Sequence, residues 1–361
     1  MLTLNLATLI AATSALSSVA GEVNFATTKV AFLSYAGGAL SLRATDLTNW
    51  LTFTVPADGD GMADMQVDAG KLADLVNKLR GDTVALAVDN GALTITAGKS
   101  KRKLMGSVVE FPEHPAIAGD AVTLDTSALT TAIAFSERSR PSDERPEFDG
   151  IRLQAGHAVA YNGKGFSAAA VEGLGSVAVT LTPSTVKLLS RVPTDTIRLT
   201  IGERLVSVTW DGGSLIAKQM VGEWRFLDGG VDALIPARDH TLTVHPAELM
   251  RAVASVKPVA HFDKNAKSEH IVLRLRAGAC EVDALSNAGA AVEPFDAEWD
   301  GPEVVVRLLQ SRLAAIMGGY ASDMPISLAI TSLTADTKTA AVVFRQDARP
   351  GFVGILTQIR Q

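Results

Sequence analysis

The chain has 361 residues, with 33 Lys and Arg against 39 Asp and Glu and a net charge of −6. That total gives no electrostatic ground for nucleic-acid binding, the 20% of charged residues excludes disorder, and the single Cys280 excludes an internal disulfide framework. A 47% apolar fraction is ordinary for a soluble globular protein.

The opening, MLTLNLATLIAATSALSSVAG, is similar to the apolar core of a secretory leader, and Ser18-Val19-Ala20 to its cleavage site. No Lys or Arg precedes the run, however, and the same residues carry the amphipathic phrase Leu9-x-x-Ala12. A structural helix over residues 5 to 18 is therefore expected. The phrase returns as Leu129-x-x-Ala132 and Leu249-x-x-Ala252, at a spacing of 120 residues. A period this long points to tandem copies of a whole domain.

Each third continues in the same way. A strand-rich stretch leads to a second helical segment: Lys71 to Asp82, Ser184 to Asp195 and Leu309 to Asp323. Apolar residues recur there at three and four, the spacing of one helix face. A strand follows from Thr83, Thr196 and Ile326, and Cys280 falls in a strand as a small buried hydrophobe. Phe111-Pro112-Glu113-His114-Pro115 closes the first third before a strand at Val122 to Leu124. Leu234-Ile235-Pro236-Ala237 closes the second before Leu242 to Val244. The expected domains are 1–119, 120–240 and 241–361, a common domain size. No segment reads as a membrane span.

No catalytic residue, metal site or cofactor is expected. The six His residues are scattered, without H-E-x-x-H or a Cys partner for zinc. Gly98-Lys99-Ser100 has Leu93 where a phosphate-binding loop needs glycine, so GKSKRK reads as a basic hairpin. Gly165-Phe166-Ser167-Ala168-Ala169 lacks the second glycine of a nucleophile elbow. Asp143, Glu144 and Glu147 lie among Arg138, Arg140 and Arg145, which makes a solvated mixed-charge loop.

The placement of charge says more than its sum. The predicted helices and their ends carry Lys71, Lys78 and Arg80, then Arg138, Arg140, Lys187 and Arg191, then Arg251, Lys257, Arg307 and Arg312. Lys264 and Lys267 follow in a loop. Acids such as Asp58, Asp60, Asp64, Glu172, Glu203, Asp211, Glu293, Asp296, Glu298 and Asp300 fall in strands and turns. Either these cations solubilise separate helices, or they make a basic face with an acidic back. The first helix has no Lys or Arg at all.

Several local phrases carry a family resemblance. These are Ala44-Thr45-Asp46-Leu47, Val109-Glu110-Phe111-Pro112, Ala134-Phe135-Ser136 followed by Arg145, Phe148, Asp149 and Gly150, and Val221-Gly222-Glu223-Trp224 running to Leu234-Ile235-Pro236. In this order, over three repeats, the chain resembles the bacterial DNA polymerase III beta subunit, the sliding clamp, as a divergent member. The resemblance implies an α+β protein of three clamp-fold repeats, with helices lining a ring and antiparallel sheets outside. It also implies a head-to-tail homodimer that encircles duplex DNA without reading bases, and no enzyme activity. Lys71, Lys78, Arg80, Arg138, Arg140, Arg145, Lys187, Arg191, Arg251, Lys257, Lys264 and Lys267 would face phosphates.

The family also takes short peptides of DNA polymerase, the clamp loader and repair proteins in a pocket. Carried over by motif, that pocket would include Phe148, Tyr161, Gly163, Lys164 and Phe166, with Gly165 where the family has Arg. Pro183, Val186, His270, Leu309, Arg312 and Leu333 join them. So do Ile355, Leu356, Thr357, Gln358, Ile359 and Arg360, where the family's Met-Pro-Met core is absent. The alternative is a three-domain scaffold for protein or nucleic acid that closes no ring.

Overall fold

A computed structural model describes the chain except residues 21–24, 108, 141–147, 223, 236–239, 265–267, 331–340 and 359–361, and the side chain of Asp263. The element order repeats three times. It runs β1 (Leu2–Asn5), α1 (Leu6–Val19), β2 (Val30–Ala36), β3 (Ala39–Thr45), β4 (Asn49–Gly59), β5 (Met65–Asp68), α2 (Ala69–Val76), β6 (Thr83–Asp89), β7 (Ala92–Ala97) and β8 (Ser100–Met105). The second round is β9 (Asp120–Asp125), α3 (Thr126–Ser136), β10 (Ile151–Gln154), β11 (His157–Tyr161), β12 (Gly165–Ala170), β13 (Ala178–Leu181), α4 (Pro183–Leu189), β14 (Thr196–Ile201), β15 (Leu205–Trp210) and β16 (Gly213–Lys218). The third is β17 (His240–Val244), α5 (Pro246–Val256), β18 (Phe262–Asp263), β19 (Ser268–Arg276), β20 (Ala279–Ser286), β21 (Gly289–Phe295), β22 (Ala297–Trp299), β23 (Val304–Leu309), α6 (Gln310–Met317), β24 (Ile326–Ile330), β25 (Ala341–Arg345) and β26 (Phe352–Thr357).

Local chemistry sets these boundaries. The Asn5 side chain accepts the Thr8 amide at 3.0 Å, Asp68 accepts that of Lys71 at 2.8 Å, and Thr182 accepts that of Thr185 at 3.2 Å. Each is an N-cap, and Pro246 opens α5 at a position where its missing N–H costs nothing. The second helices are shorter than their sequence pattern suggests: α2 ends at Val76, α4 at Leu189 and α6 at Met317. The apolar spacing runs on past each end, but Gly81, Pro193 and the Gly318-Gly319 pair do not favour further helix. β1 precedes α1 because Leu2 and Leu4 alternate with exposed residues and pair with both β4 and β6.

The Leu-x-x-Ala phrase marks the buried stripe of three helices. Leu9, Ala12, Leu129, Ala132, Leu249 and Ala252 are each no more than 1% exposed. Such full burial is worth roughly 2 kcal/mol for each Leu.

The chain forms two compact units. The first comprises Met1–Ser127 and Leu181–Gln219. Its sheet runs β8-β7-β6-β1-β4-β16-β15-β14-β9, with β3 also on β4, β2 on β3 and β5 on β2. Hydrogen bonding therefore passes from the first round of elements into the second at β4 and β16, with Leu51 opposite Leu215. Beside that junction the Ala44-Thr45-Asp46-Leu47 phrase makes a turn. Asp46 accepts the amides of Thr48 and Asn49, at 2.8 and 2.5 Å, which lets the non-glycine Leu47 hold φ at 68°. Asn49, fully buried, is satisfied by Asp46, Ser184 and Thr185.

The second unit comprises Ala128–Thr180 and Met220–Gln361. One sheet runs β13-β10-β11-β12-β26-β25-β24-β17-β22, and a smaller one runs β18-β19-β20-β21 with β23 on β19. Here the crossing is at β12 and β26, with Ser167 opposite Gly354. The buried Tyr320 hydroxyl donates to the Phe344 carbonyl at 2.7 Å and accepts the Gly354 amide at 3.0 Å, and burial raises its pKa. Cys280 is buried in β20, which pushes its thiol pKa up as well. No helix among the described residues is long and apolar enough to cross a membrane.

Candidate functional site

Four cations of the first unit stand without a carboxylate partner among the described residues. Lys71 in α2, Lys78 and Arg80 just beyond it, and Lys187 in α4 are exposed. Among the described residues none of them has a carboxylate within ion-pair distance. Arg191 donates only to a backbone carbonyl, that of Ser14, at 2.9 Å. The exposed positions Ala7, Thr8 and Ala11 of α1 add no charge.

Several cations of the second unit are engaged by the protein. Arg140 pairs with Glu137 at 3.0 Å and Asp149 at 3.2 Å. Arg251 on α5 reaches Glu293 of β21 at 2.5 Å and Glu248 at 3.2 Å, and these partners raise its pKa. Lys257 lies 3.8 Å from Glu269. Arg138 donates to the Ala315 carbonyl at 3.1 Å, with its pKa lowered by burial and by Arg349. Lys264 is exposed, while Arg145 and Lys267 lie outside the described residues. Glu293 thus belongs with a helix cation rather than to a separate acidic back.

The second unit also holds a cleft of about 390 Å³, lined by Tyr161, Lys164, Gly165, Phe166, Phe226, Leu234, Ala341, Ile355 and Thr357. It sits on the β12–β26 junction, where Phe166 opposes Ile355. The turn beneath it is fixed by Asn162, whose side chain accepts the amides of Lys164 and Gly165 at 3.1 and 2.7 Å, with Gly163 at φ +84°. Thr357 locks the other wall, its amide and hydroxyl both donating to the Lys164 carbonyl at 2.9 Å. A Cβ on Gly165 would come within 3.1 Å of Leu356, so a larger side chain there would crowd the junction.

Behind the cleft lies an aromatic nest. Phe148 stacks edge-on against Tyr161 and Trp224, with ring centroids 5.4 and 5.1 Å apart, and Tyr161 lies 5.0 Å from Phe226. This wall is apolar and shaped, with Lys164 as the one cationic side chain among the lining residues. It can take apolar side chains of an extended segment and complement acidic ones.

Of the positions expected to form a pocket, Tyr161, Lys164, Phe166, Ile355 and Thr357 line the cleft, and Phe148 supports it. Gly163 shapes the turn, and Gln358, half-buried, follows β26. Leu356 is buried and does not line the cleft. Pro183 and Val186 belong to α4 in the first unit. His270, opposite Leu309 on the neighbouring strand, and Arg312 of α6 lie in the second unit and are not among the residues that line the cleft. Leu333, Ile359 and Arg360 fall outside the described residues. Sequence reasoning missed Phe226, Leu234, Ala341 and the supporting Trp224. The signal for two of them was the aromatic pair Trp224-Arg225-Phe226 just before the Leu-Ile-Pro closure.

No protein-family model and no curated protein matches the sequence. Solved structures do. The DNA polymerase III subunit beta of Pseudomonas aeruginosa is similar at a TM-score of 0.86 and 18% identity, covering 100% of each chain. That of Thermotoga maritima gives 0.84 and 18%, again over 100% of both chains. The DNA polymerase sliding clamp of Caulobacter crescentus gives 0.83 and 20%, over 100% of this chain and 99% of that one. At these identities the likeness is one of fold, and the chain has the fold of bacterial sliding clamps over its whole length.

Proposed function

We propose that this chain, built on the sliding-clamp fold, is a non-enzymatic processivity factor. In this reading two copies close head to tail into a ring around duplex DNA, and the ring tethers a replicative polymerase and other replication or repair proteins. The observation that carries it is the end-to-end likeness to DNA polymerase III beta subunits. The three domains are 1–119, 120–240 and 241–361, and the protein works in the cytoplasm.

The bare cations of the first unit, Lys71, Lys78, Arg80 and Lys187, supply the phosphate contacts, joined by Arg191 with the guanidinium nitrogens not bonded to the Ser14 carbonyl. Arg138, Arg140, Arg251, Lys257 and Lys264, with Arg145 and Lys267, add less, since carboxylates or carbonyls already occupy several of them. Contacts of this kind read no bases and weaken with salt, so topology and not affinity keeps the ring on DNA. The cleft over β12 and β26 receives extended peptides from the polymerase and the clamp loader, anchored by apolar side chains against Phe166, Phe226 and Ile355.

Solution mass together with retention on DNA tests the reading. A dimer that stays on nicked circular DNA and slips from the same DNA once linearised is expected. A monomer, or a protein held equally by both forms, refutes the ring and leaves a non-encircling scaffold.

A further inference from the structure

The first unit has a cleft of its own, of about 880 Å³, bounded by Ala7 and Ala11 of α1, Phe53 and Thr54 of β4, and Trp210 and Asp211 where β15 turns toward β16. Its place follows from strand pairing. β4 pairs with β16 as far as Phe53, opposite Gly213, and with β1 only from Ala57, opposite Leu4. Neither strand pairs with the residues between, Thr54 to Pro56, and the sheet opens there. Thr54 donates to the Gly212 carbonyl at 2.8 Å, and its own carbonyl points the same way in an antiparallel strand, toward the opening. Pro56 has no N–H to leave unpaired there.

The floor is aromatic. Phe53 and Trp210 meet edge-on with ring centroids 5.5 Å apart, and they are only 6% and 9% exposed. A Cβ on Gly213 would come within 2.4 Å of the Trp210 ring, so a glycine is what lets the indole lie against the hairpin. The rim is acidic. Asp211 is exposed, has no cation within ion-pair distance among the described residues, and shares the lining with no Lys, Arg or His.

The cleft of the second unit is its opposite, with Lys164 and no carboxylate in its lining. It also sits at the other end of an equivalent junction. Lys218 donates to Thr48 as Thr357 does to Lys164, each at 2.9 Å, and Thr54 donates to Gly212 as Ala170 does to Gly351, at 2.8 and 2.9 Å. The second unit is open at the Lys164 end and the first at the Thr54 end. Where the first unit opens, the second is tight: a Cβ on Gly351 would come within 2.8 Å of that of Ala170.

We propose that the first-unit cleft holds an extended peptide segment of a partner protein, one that carries Arg or Lys beside apolar residues. The cationic side chain pairs with Asp211, a backbone amide donates to the Thr54 carbonyl, and the apolar neighbours rest on Phe53 and Trp210. Such a site needs no ring and is separate from the cleft over β12 and β26. Two clefts of opposite charge sort partners, acidic segments to the second unit and basic ones to the first.

Titration calorimetry on the full chain tests this with three capped pentapeptides, Gly-Leu-Arg-Leu-Gly and the same sequence with Gln or Glu at its centre. The Arg probe should bind with a Kd below about 1 mM. It should bind about five-fold more tightly than the Gln probe, with the Glu probe weakest. Asp211→Asn should remove the preference for Arg over Gln. Ala11→Trp, which fills the cleft from the exposed side of α1, should weaken the Arg probe about ten-fold. Glu203→Gln, an exposed acid of the same unit outside the lining, should change neither result. An Arg probe that does not bind, or that is indifferent to Ala11→Trp, overturns the site. Equal losses in Asp211→Asn and Glu203→Gln overturn it too, since they would show diffuse attraction to an acidic protein.

Discussion

Both units carry cations on or just beyond their helices but treat them differently. In the first, Lys71, Lys78, Arg80 and Lys187 face solvent without a carboxylate partner among the described residues; in the second, Arg140, Arg251 and Lys257 are matched by Asp149, Glu293 and Glu269. A cation already held by a carboxylate gains little from a phosphate, because it must give up one partner for the other. The second unit instead carries the aromatic cleft. On the clamp reading, position on a helix is then a poor guide to DNA contact, and the neighbours of each charge decide.

The sharpest way to break this division is to remove the bare charges together. Lys71→Ala, Lys78→Ala, Arg80→Ala and Lys187→Ala combined should lower the slope of log affinity against log salt by about three to four, measured by anisotropy on a short duplex. Arg251→Ala with Lys257→Ala should change it by less than about one; an equal loss in both variants would end the comparison. Next comes the cleft. Tyr161→Ser with Phe226→Ala should weaken binding of a polymerase-derived clamp-binding peptide by about 30-fold, with the salt slope for DNA unchanged. Glu248→Gln with Glu293→Gln frees Arg251 and should steepen the slope by about one, which would convert a second-unit cation to first-unit behaviour.

Smaller effects separate the units by stability. Tyr320→Phe in the second unit leaves the Gly354 amide without its acceptor and should cost about 1–2 kcal/mol in urea unfolding. In the first unit, burial and Arg43 lower the pKa of His114 below its ordinary 6.5. A histidine kept neutral by folding takes up protons preferentially in the unfolded chain, so stability is present above about pH 6.5 and declines as pH falls toward the lowered value. His114→Gln should flatten that acid limb in urea unfolding, by less than about 1 kcal/mol.

How legible all this was depended on the range of the interaction. Leu9, Leu129 and Leu249 announce their helices because a buried stripe repeats within a few residues. β6, β14 and β24 begin where the sequence places them, at Thr83, Thr196 and Ile326. The basic GKSKRK hairpin forms as expected, turning at Gly98 with φ +56°. The pairing of Arg251 was not legible, since Glu293 lies 42 residues away and reaches it only through the packing of α5 on β21. Phe226 and Leu234 escaped for another reason. They lie in short 3-10 turns, which carry no periodicity to mark a buried face.

If this chain travels along DNA as proposed, the uncharged exposed side of α1 has a mechanical meaning. Ala7, Thr8 and Ala11 offer a passing phosphate no well to fall into and no ion to displace. Friction on the duplex comes from how deep the electrostatic ripples are, not from how many surfaces touch it. On that reading, a stretch of methyl and hydroxyl groups is a bearing surface, which lowers drag without loosening the grip of the cations elsewhere.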